Sequence, residues 1–528
     1  VPGGGIWMNT QRPEWNDANN ALVGHGLSMV TLYQLRRYLD RLRLLVDSAG
    51  IDAVQMSTEV SDWLAAITGV LRGNLGLVGV GADDRQRKSV MDELGWAFFE
   101  YRSRVYASGF SGMTSVDPGR IAELCEIAID HVDDTIRRNR RSDGLYHSYN
   151  LIQFAADGSE ARVEHLYEML EGQVNVLSAG VLSAEECADV LDALFESAMY
   201  RPDQRSFMLY PARALPSFLD KNIIPDGEVA ANPLLDALAQ ADDGSIVVVD
   251  ADGRYRFNGD LANKAHLAAA LDRLAAEDRW SELALTHRAA VLGLFEQVFR
   301  HHAFTGRSGS MYGYEGIGSI YWHMVAKLLV AVQEAVLEAR KQGAAPETVR
   351  RLIDGYWRVR AGLGFNKTAG EYGAFPTDPY SHTPGHAGAQ QPGMTGQVKE
   401  ELLTRPLELG IRVDDGEIVF DPVLLRPVEF LDRPEDWQVL DGDGMRTIEL
   451  PAQSLGATLC EVPLIVSVAE GEPAVEVVRA DGTAERTSGL NVDRATSATV
   501  FDRSAEVLQV RAFVPESALG SADLAPPD

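Results

Sequence analysis

The chain has 528 residues, 45% hydrophobic and 24% charged, with a formal net charge of −29 from 77 acidic against 48 basic residues. The length allows two to four domains, and the composition is that of an ordinary globular protein. So acidic a surface repels phosphate backbones, and no Lys/Arg run with interleaved aromatics occurs, which disfavours nucleic-acid binding but leaves a neutral sugar unopposed. No stretch approaches the roughly 18 unbroken apolar residues of a membrane span. The most apolar helical run, Met324 to Val332, is interrupted by Lys327. Cys125, Cys187 and Cys460 are scattered and odd in number, so neither a disulfide framework nor a zinc site is indicated. The chain opens on Val1 with no basic segment and apolar core behind it, so no signal peptide is visible; a soluble chain is expected, with its compartment left open and the cytoplasm slightly favoured.

In chain order, a polar, Gly-rich stretch of about 20 residues precedes a helix from about Leu27 to Ser48. Apolar residues at three- and four-residue spacing predict further helices over 58–72, 86–107, 117–139, 163–179, 183–199, 261–275, 279–301, 317–341 and 346–361. Ser183 with Glu186 three residues later is a capping box. Residues 201–260 are loop-like and read as an insertion, carrying a β-hairpin of Ile246–Val249 and Tyr255–Phe257 around Asp252-Gly253. After Arg405 the character changes to β-rich segments such as Glu417–Phe420, Leu459–Val468, Ala474–Val478 and Val507–Val514, between Gly/Asp/Pro turns. Successive helices followed by strands argue for helical packing with a β-rich tail, not for a βαβ fold. The expected class is mainly α, with boundaries at 1–405 and 406–528.

Three segments mix carboxylates, aromatics, amides and glycines. The first, Gln11 to Asn20, holds Glu14, Trp15, Asn16 and Asp17 before a long helix. Partial desolvation beside Trp15 would favour the neutral form of Asp17, as a general acid requires, although the same residue types also suit a helix-entry turn. The second runs from Tyr312 to His323 and crowds Tyr314, Glu315, Tyr321 and Trp322 among glycines at a helix start. There Glu315 also suits the helix dipole and the aromatics suit a core. The third, Phe365 to Gly396, is about thirty residues without regular periodicity and includes Glu371, Tyr372, His382, His386, Gln391 and Thr395. Loops of that length inside a domain are usually functional or disordered, and its aromatics and histidines speak against disorder. A fourth cluster, Asp143 to Asn150, offers Tyr146 and His147 for stacking on and hydrogen-bonding to a sugar. His382 and His386 are separated by Pro384-Gly385, which breaks any helix, and no HExxH, P-loop, GxSxG or dinucleotide fingerprint is present. Neither metal nor cofactor is expected.

Together these segments resemble the six-hairpin glycosidase superfamily, whose (α/α)6 members include trehalase, glucoamylase, the processing α-glucosidases and cellobiose phosphorylase. Glu14-Trp15-Asn16-Asp17-Ala18 is similar to the Trp-Asn-Asp-Gly signature of cellobiose phosphorylase, with Ala18 in place of the Gly. Gly318-Ser319-Ile320-Tyr321-Trp322 resembles the Gly-Pro-Ile-Trp element of processing α-glucosidases. Gly370-Glu371-Tyr372 through Thr395-Gly396 resembles their Glu-Gln-Tyr…Thr-Gly-Trp segment, with Gln397 replacing the Trp.

The resemblance implies a partial (α/α)6 barrel and an inverting carbohydrate-active enzyme. Asp17 would be the general acid and Glu371 the general base, with Glu315 in reserve. Trp15, Asn16, Tyr146, His147, Tyr314, Trp322 and Tyr372 would line the sugar site. In the alternative, a phosphorylase, inorganic phosphate replaces activated water, and His382, His386, Gln391 and Thr395 contact it. A third reading is a non-catalytic carbohydrate-binding or assembly protein. The family acid lies near the middle of its barrel, so the resemblance also implies an upstream part of the same protein as partner, beside an oligosaccharide or glycoside substrate.

Overall fold

A computed structural model of the chain describes residues 1–9, 22–212, 216–301, 318–376, 380–385, 387–392, 395–441 and 444–520. The chain divides into two compact units. One comprises 1–140, 147–168 and 212–317; the other comprises 141–146, 169–211 and 318–528. Helix accounts for 47% and strand for 21%, so the fold is mixed, with a sheet-rich C-terminal region.

In the first unit the helix Met29–Ser48 packs on Pro118–Arg138, and Thr58–Gly73 packs on both Asp84–Ser108 and Pro118–Arg138. Their starts follow local chemistry. The Ser28 hydroxyl accepts the Thr31 N–H at 3.0 Å, and Asp117 caps a helix whose first residue is Pro118. A four-stranded antiparallel sheet, Ile6–Trp7, Gly26–Ser28, Tyr149–Phe154 and Ala161–His165, gathers the N-terminus with the segment after residue 147. Here the structure departs from the sequence reading. The expected helix over 163–179 is instead the strand Ala161–His165 and the helix Leu170–Leu177. The alternation through Val163-Glu164-His165, after a turn at Asp157-Gly158, has the period of a strand.

The same unit carries a segment with its own core. Ile224, Leu234, Leu238, Val247, Phe257, Leu271, Trp280, Phe295 and Phe299 belong to one buried cluster drawn wholly from residues 224–299. The hairpin Val247–Val249/Tyr255–Phe257 forms in the register Val247↔Phe257, as its Asp-Gly turn predicts. Buried Asn222 clamps it: the Phe257 N–H donates to Asn222 Oδ1 at 2.9 Å, and Asn222 Nδ2 donates to the Phe257 carbonyl at 2.8 Å. Lys264–Ala275 and Ser281–Phe299 close the cluster as an antiparallel helix pair.

In the second unit Trp322–Lys341 is the central helix, buried at twelve positions, among them Trp322, Leu328, Val332 and Val336. Leu170–Leu177, Pro346–Ala361 and Thr395–Glu408 pack around it, and Ala184–Glu196 packs on Pro346–Ala361. A Cβ on Gly355 would come within 2.0 Å of Leu191, so glycine is what lets those last two helices approach. Glu408, almost fully buried, accepts from Tyr356 Oη at 2.6 Å and Arg360 Nε at 2.9 Å, tying Thr395–Glu408 to Pro346–Ala361. The tail is then sheet. Five strands run in the order Ser454–Leu459, Val462–Val468, Val507–Val514, Ala474–Arg479, Ala484–Ser488 over a core including Leu464, Val475, Val510 and Phe420. The crossing from Val462–Val468 to Val507–Val514 is a parallel pair, the others antiparallel.

Candidate functional site

Within the second unit, three stretches far apart in sequence meet: the turn at Tyr200–Arg205, the strand Ile320–Tyr321 with Trp322, and the long loop from Leu363 to Pro392. Ile320–Tyr321 pairs with Tyr380–Thr383, which pairs with Gln390–Pro392, so the long loop is folded into a small sheet against the start of the central helix. Trp322 is 0% and Tyr372 1% exposed; their rings meet edge-to-face at 5.3 Å, and Trp322 Nε1 donates to Thr383 Oγ1 at 2.8 Å. Gly373, at φ +77°, lies so near Gly388 that a Cβ would come within 2.4 Å of its Cα, and the Ala389 N–H donates to the Tyr372 carbonyl at 3.1 Å. The loop is therefore sewn to its own beginning.

Glu371 sits at the edge of this cluster on the short helix Ala369–Tyr372. One carboxylate oxygen accepts from the Thr368 N–H at 2.8 Å and the Thr368 hydroxyl at 3.0 Å, which is a capping box. The other faces Arg205 at 3.3 Å. Hydrogen bonds from Thr368 first, then the Arg205 cation, hold its carboxyl below the ordinary value. Lys367 is buried beside it, with Nζ 3.0 Å from Gln204 Oε1 and 4.6 Å from the centre of the Trp322 ring. Burial, and then the cations of Arg205 and Arg201, push its ammonium down to about 7. Gln204 Nε2 also donates to the Glu371 carbonyl at 2.7 Å, and Arg201 Nη1 donates to the Thr383 carbonyl at 2.8 Å. The ring of His382 stacks on Tyr321 at 5.0 Å, and its Nδ1 lies 2.9 Å from Ser381 Oγ. His323, near the start of the central helix, is pushed down to about 4 by burial and then by Lys327.

The structure thus brings Trp322, Glu371, Tyr372 and His382 into one cluster. Sequence reasoning misses the cations that join them: Arg201 and Arg205 because Arg201-Pro202-Asp203-Gln204-Arg205 reads as insertion loop, and Lys367 although it lies inside the third segment. Gln391 lies in the strand Gln390–Pro392, and Thr395 opens the helix Thr395–Glu408; their side chains are not among the described ones. Trp15, Asn16, Asp17, Tyr314, Glu315 and His386 lie outside the described residues altogether.

Tyr146 and His147 fall in different units. Tyr146 is buried, its N–H donating to Gln173 Oε1 at 2.8 Å while Gln173 Nε2 donates to its carbonyl at 2.7 Å. His147 stacks face to face on His165 at 4.3 Å, with Nδ1 2.9 Å from the Leu166 carbonyl. His165 Nδ1 lies 2.8 Å from Asn150 Oδ1, and Asn150 is buried and donates to Asn139 Oδ1 at 2.8 Å. This polar ladder is only partly legible in sequence, through the Tyr-His-Ser-Tyr-Asn run. Among the described residues no group of three or more His, Cys, Asp or Glu is placed to hold a metal, and no helix is long and apolar enough to cross a membrane.

Residues 215–302 match the family model described as GH149 phosphorylase insertion domain 2. The matched span frames the segment that carries its own core at 224–299. The match likens this segment to an insertion domain of glycoside-active phosphorylases. No curated protein matches the chain.

Proposed function

We propose that the chain belongs to a glycoside phosphorylase that cleaves an oligosaccharide with inversion, its helices up to about residue 405 being part of an α/α barrel. The observation that carries this reading is the match of residues 215–302 to an insertion domain of phosphorylases. In the proposed reaction Asp17 gives its proton to the leaving glycosidic oxygen. An oxygen of inorganic phosphate attacks the anomeric carbon from the opposite face, the bond to the leaving sugar breaks, and a sugar 1-phosphate of inverted configuration results. His382, His386, Gln391 and Thr395 contact the phosphate, and Arg201 and Arg205, paired with Asp203 and Glu371, offer guanidinium groups to an anion in an otherwise acidic protein. Trp15, Asn16, His147 and Tyr314 contact sugar, while Trp322 and Tyr372 support the loop from within and Tyr146, expected at the sugar, is buried against Gln173 instead. The geometry of Glu371 supports phosphate over water. A carboxylate already accepting from Thr368 and paired with Arg205 has lowered basicity and is a poor activator of water.

Assay of the full chain on a panel of oligosaccharides, with and without inorganic phosphate, tests this. The expected outcome is phosphate-dependent release of a sugar 1-phosphate. Asp17→Asn lowers turnover by about 10²–10⁴ with little change in affinity, because the proton is transferred only in the transition state. Glu371→Gln leaves phosphate dependence in place. Phosphate-independent cleavage abolished by Glu371→Gln and restored by azide overturns the reading in favour of a hydrolase; loss on Glu315→Gln instead gives that role to Glu315. Sugar binding without turnover under either condition makes the chain a carbohydrate-binding protein.

A further inference from the structure

Residues 201–205 make a tight turn that ends in backbone strain. Pro202 opens the single 3-10 turn Pro202–Gln204, and Arg205 closes it at φ 49°, in the left-handed region that a residue with a Cβ rarely enters. The Arg205 carbonyl lies so near Gly362 that a Cβ there would come within 2.0 Å of it. Strain of this kind persists only where the surroundings fix it, and it gathers at functional places. The side chain that the turn presents inward is Gln204, 8% exposed. Its Oε1 accepts from Lys367 Nζ at 3.0 Å, and its Nε2 donates to the Glu371 carbonyl at 2.7 Å. A flipped amide would set oxygen against the Glu371 carbonyl oxygen, so the amide has one sense.

We infer that Gln204 is a positioning residue for the long loop that carries His382 and Gln391, an inference that rests on the phosphorylase reading of that loop. Glu371 stands at the loop's root. The next carbonyl, that of Tyr372, accepts from the Ala389 N–H at 3.1 Å, and Gln390, one residue further, pairs with His382. A shift at Glu371 therefore reaches the His382 strand through two backbone contacts. The same turn grips that strand at a second point, where Arg201 Nη1 donates to the Thr383 carbonyl at 2.8 Å. Gln204 itself touches neither phosphate nor sugar; it acts through the loop. The competing role is narrower, an acceptor that compensates buried Lys367 and nothing more. Two substitutions separate the roles. Gln204→Met keeps the length of the side chain and loses both hydrogen bonds. Gln204→Glu still accepts from Lys367, and gives it a counter-charge, but turns an oxygen towards the Glu371 carbonyl.

Amide hydrogen exchange and steady-state kinetics of the full chain, wild type and both variants, test the inference. Both variants are expected to exchange faster than wild type across residues 371–392, with the helix Pro346–Ala361 unchanged. Both are expected to raise KM for inorganic phosphate by about 10- to 100-fold, the scale of a misplaced contact, with kcat unchanged. Gln204→Glu is expected to melt at a higher temperature than Gln204→Met, so stability and phosphate affinity part company. Wild-type exchange and KM in Gln204→Glu overturn the inference and leave Gln204 as a partner of Lys367 alone. Unchanged exchange in both variants, or faster exchange throughout the chain, overturns it as well. If the wild type releases no sugar 1-phosphate, the phosphorylase reading falls and exchange alone decides on Gln204: faster exchange confined to 371–392 upholds its hold on the loop, and any other pattern removes it.

Discussion

Lys367 sits in an environment that a lysine does not prefer. A buried ammonium loses hydration, and the face of Trp322 and one amide oxygen of Gln204 compensate in part. Its folded value of about 7 lies below the ordinary 10.5. Between those two values the unfolded chain binds a proton that the folded chain does not, so this group makes stability rise as pH climbs from about 7 towards about 10.5. Lys367→Met removes that contribution. Urea unfolding at about pH 7 and about pH 10 checks it: the gain on going alkaline is expected to be smaller in the variant, and an identical gain contradicts the assigned environment.

At the scale of elements, the segment 215–302 stands out because its packing closes on itself. The hairpin, the Asn222 clamp and the helix pair Lys264–Ala275/Ser281–Phe299 share one buried cluster, and Trp280 Nε1 donates to Asp243 within it at 3.1 Å. A segment of this length can bury enough apolar surface to fold alone. Residues 216–301 expressed separately are expected to give a helical spectrum and a cooperative thermal transition. Phe257→Ala, which empties a fully buried site, is expected to cost about 3–5 kcal/mol. A fragment that stays unfolded under conditions where the full chain is native shows that the cluster needs the rest of its unit.

For the molecule as a whole, charge has the widest reach. A net −29 spread over the surface disfavours the compact state by self-repulsion, and ions screen that repulsion. Raising NaCl from about 20 mM to about 300 mM contracts the Debye length from roughly 20 Å to about 6 Å. The midpoint of thermal unfolding is expected to rise by a few degrees across that range. A falling midpoint would mean that local ion pairs such as Arg351 with Asp189 and Asp192 outweigh the net repulsion.

What the sequence determined by itself is what local spacing controls. The helix Pro346–Ala361 and the strands Glu417–Phe420 and Val507–Val514 stand where their periodicity put them, and the Ser183/Glu186 capping box and the 247–257 hairpin formed as their residues require. Where two periods compete over a few residues, as at Ala161–His165, pairing with Tyr149–Phe154 decided for strand. The Thr368/Glu371 capping box was also written in the sequence, but a carboxylate in a Gly-rich loop reads equally as a base; only its neighbours show both oxygens engaged. Arg205 and Glu371 are 166 residues apart, and no local pattern announces their meeting. The helix Asp84–Ser108 shows the same limit: its span follows from periodicity, and tertiary structure alone reveals that Phe98 and Tyr101 meet Trp63 while Trp96, Phe99 and Tyr106 stay exposed.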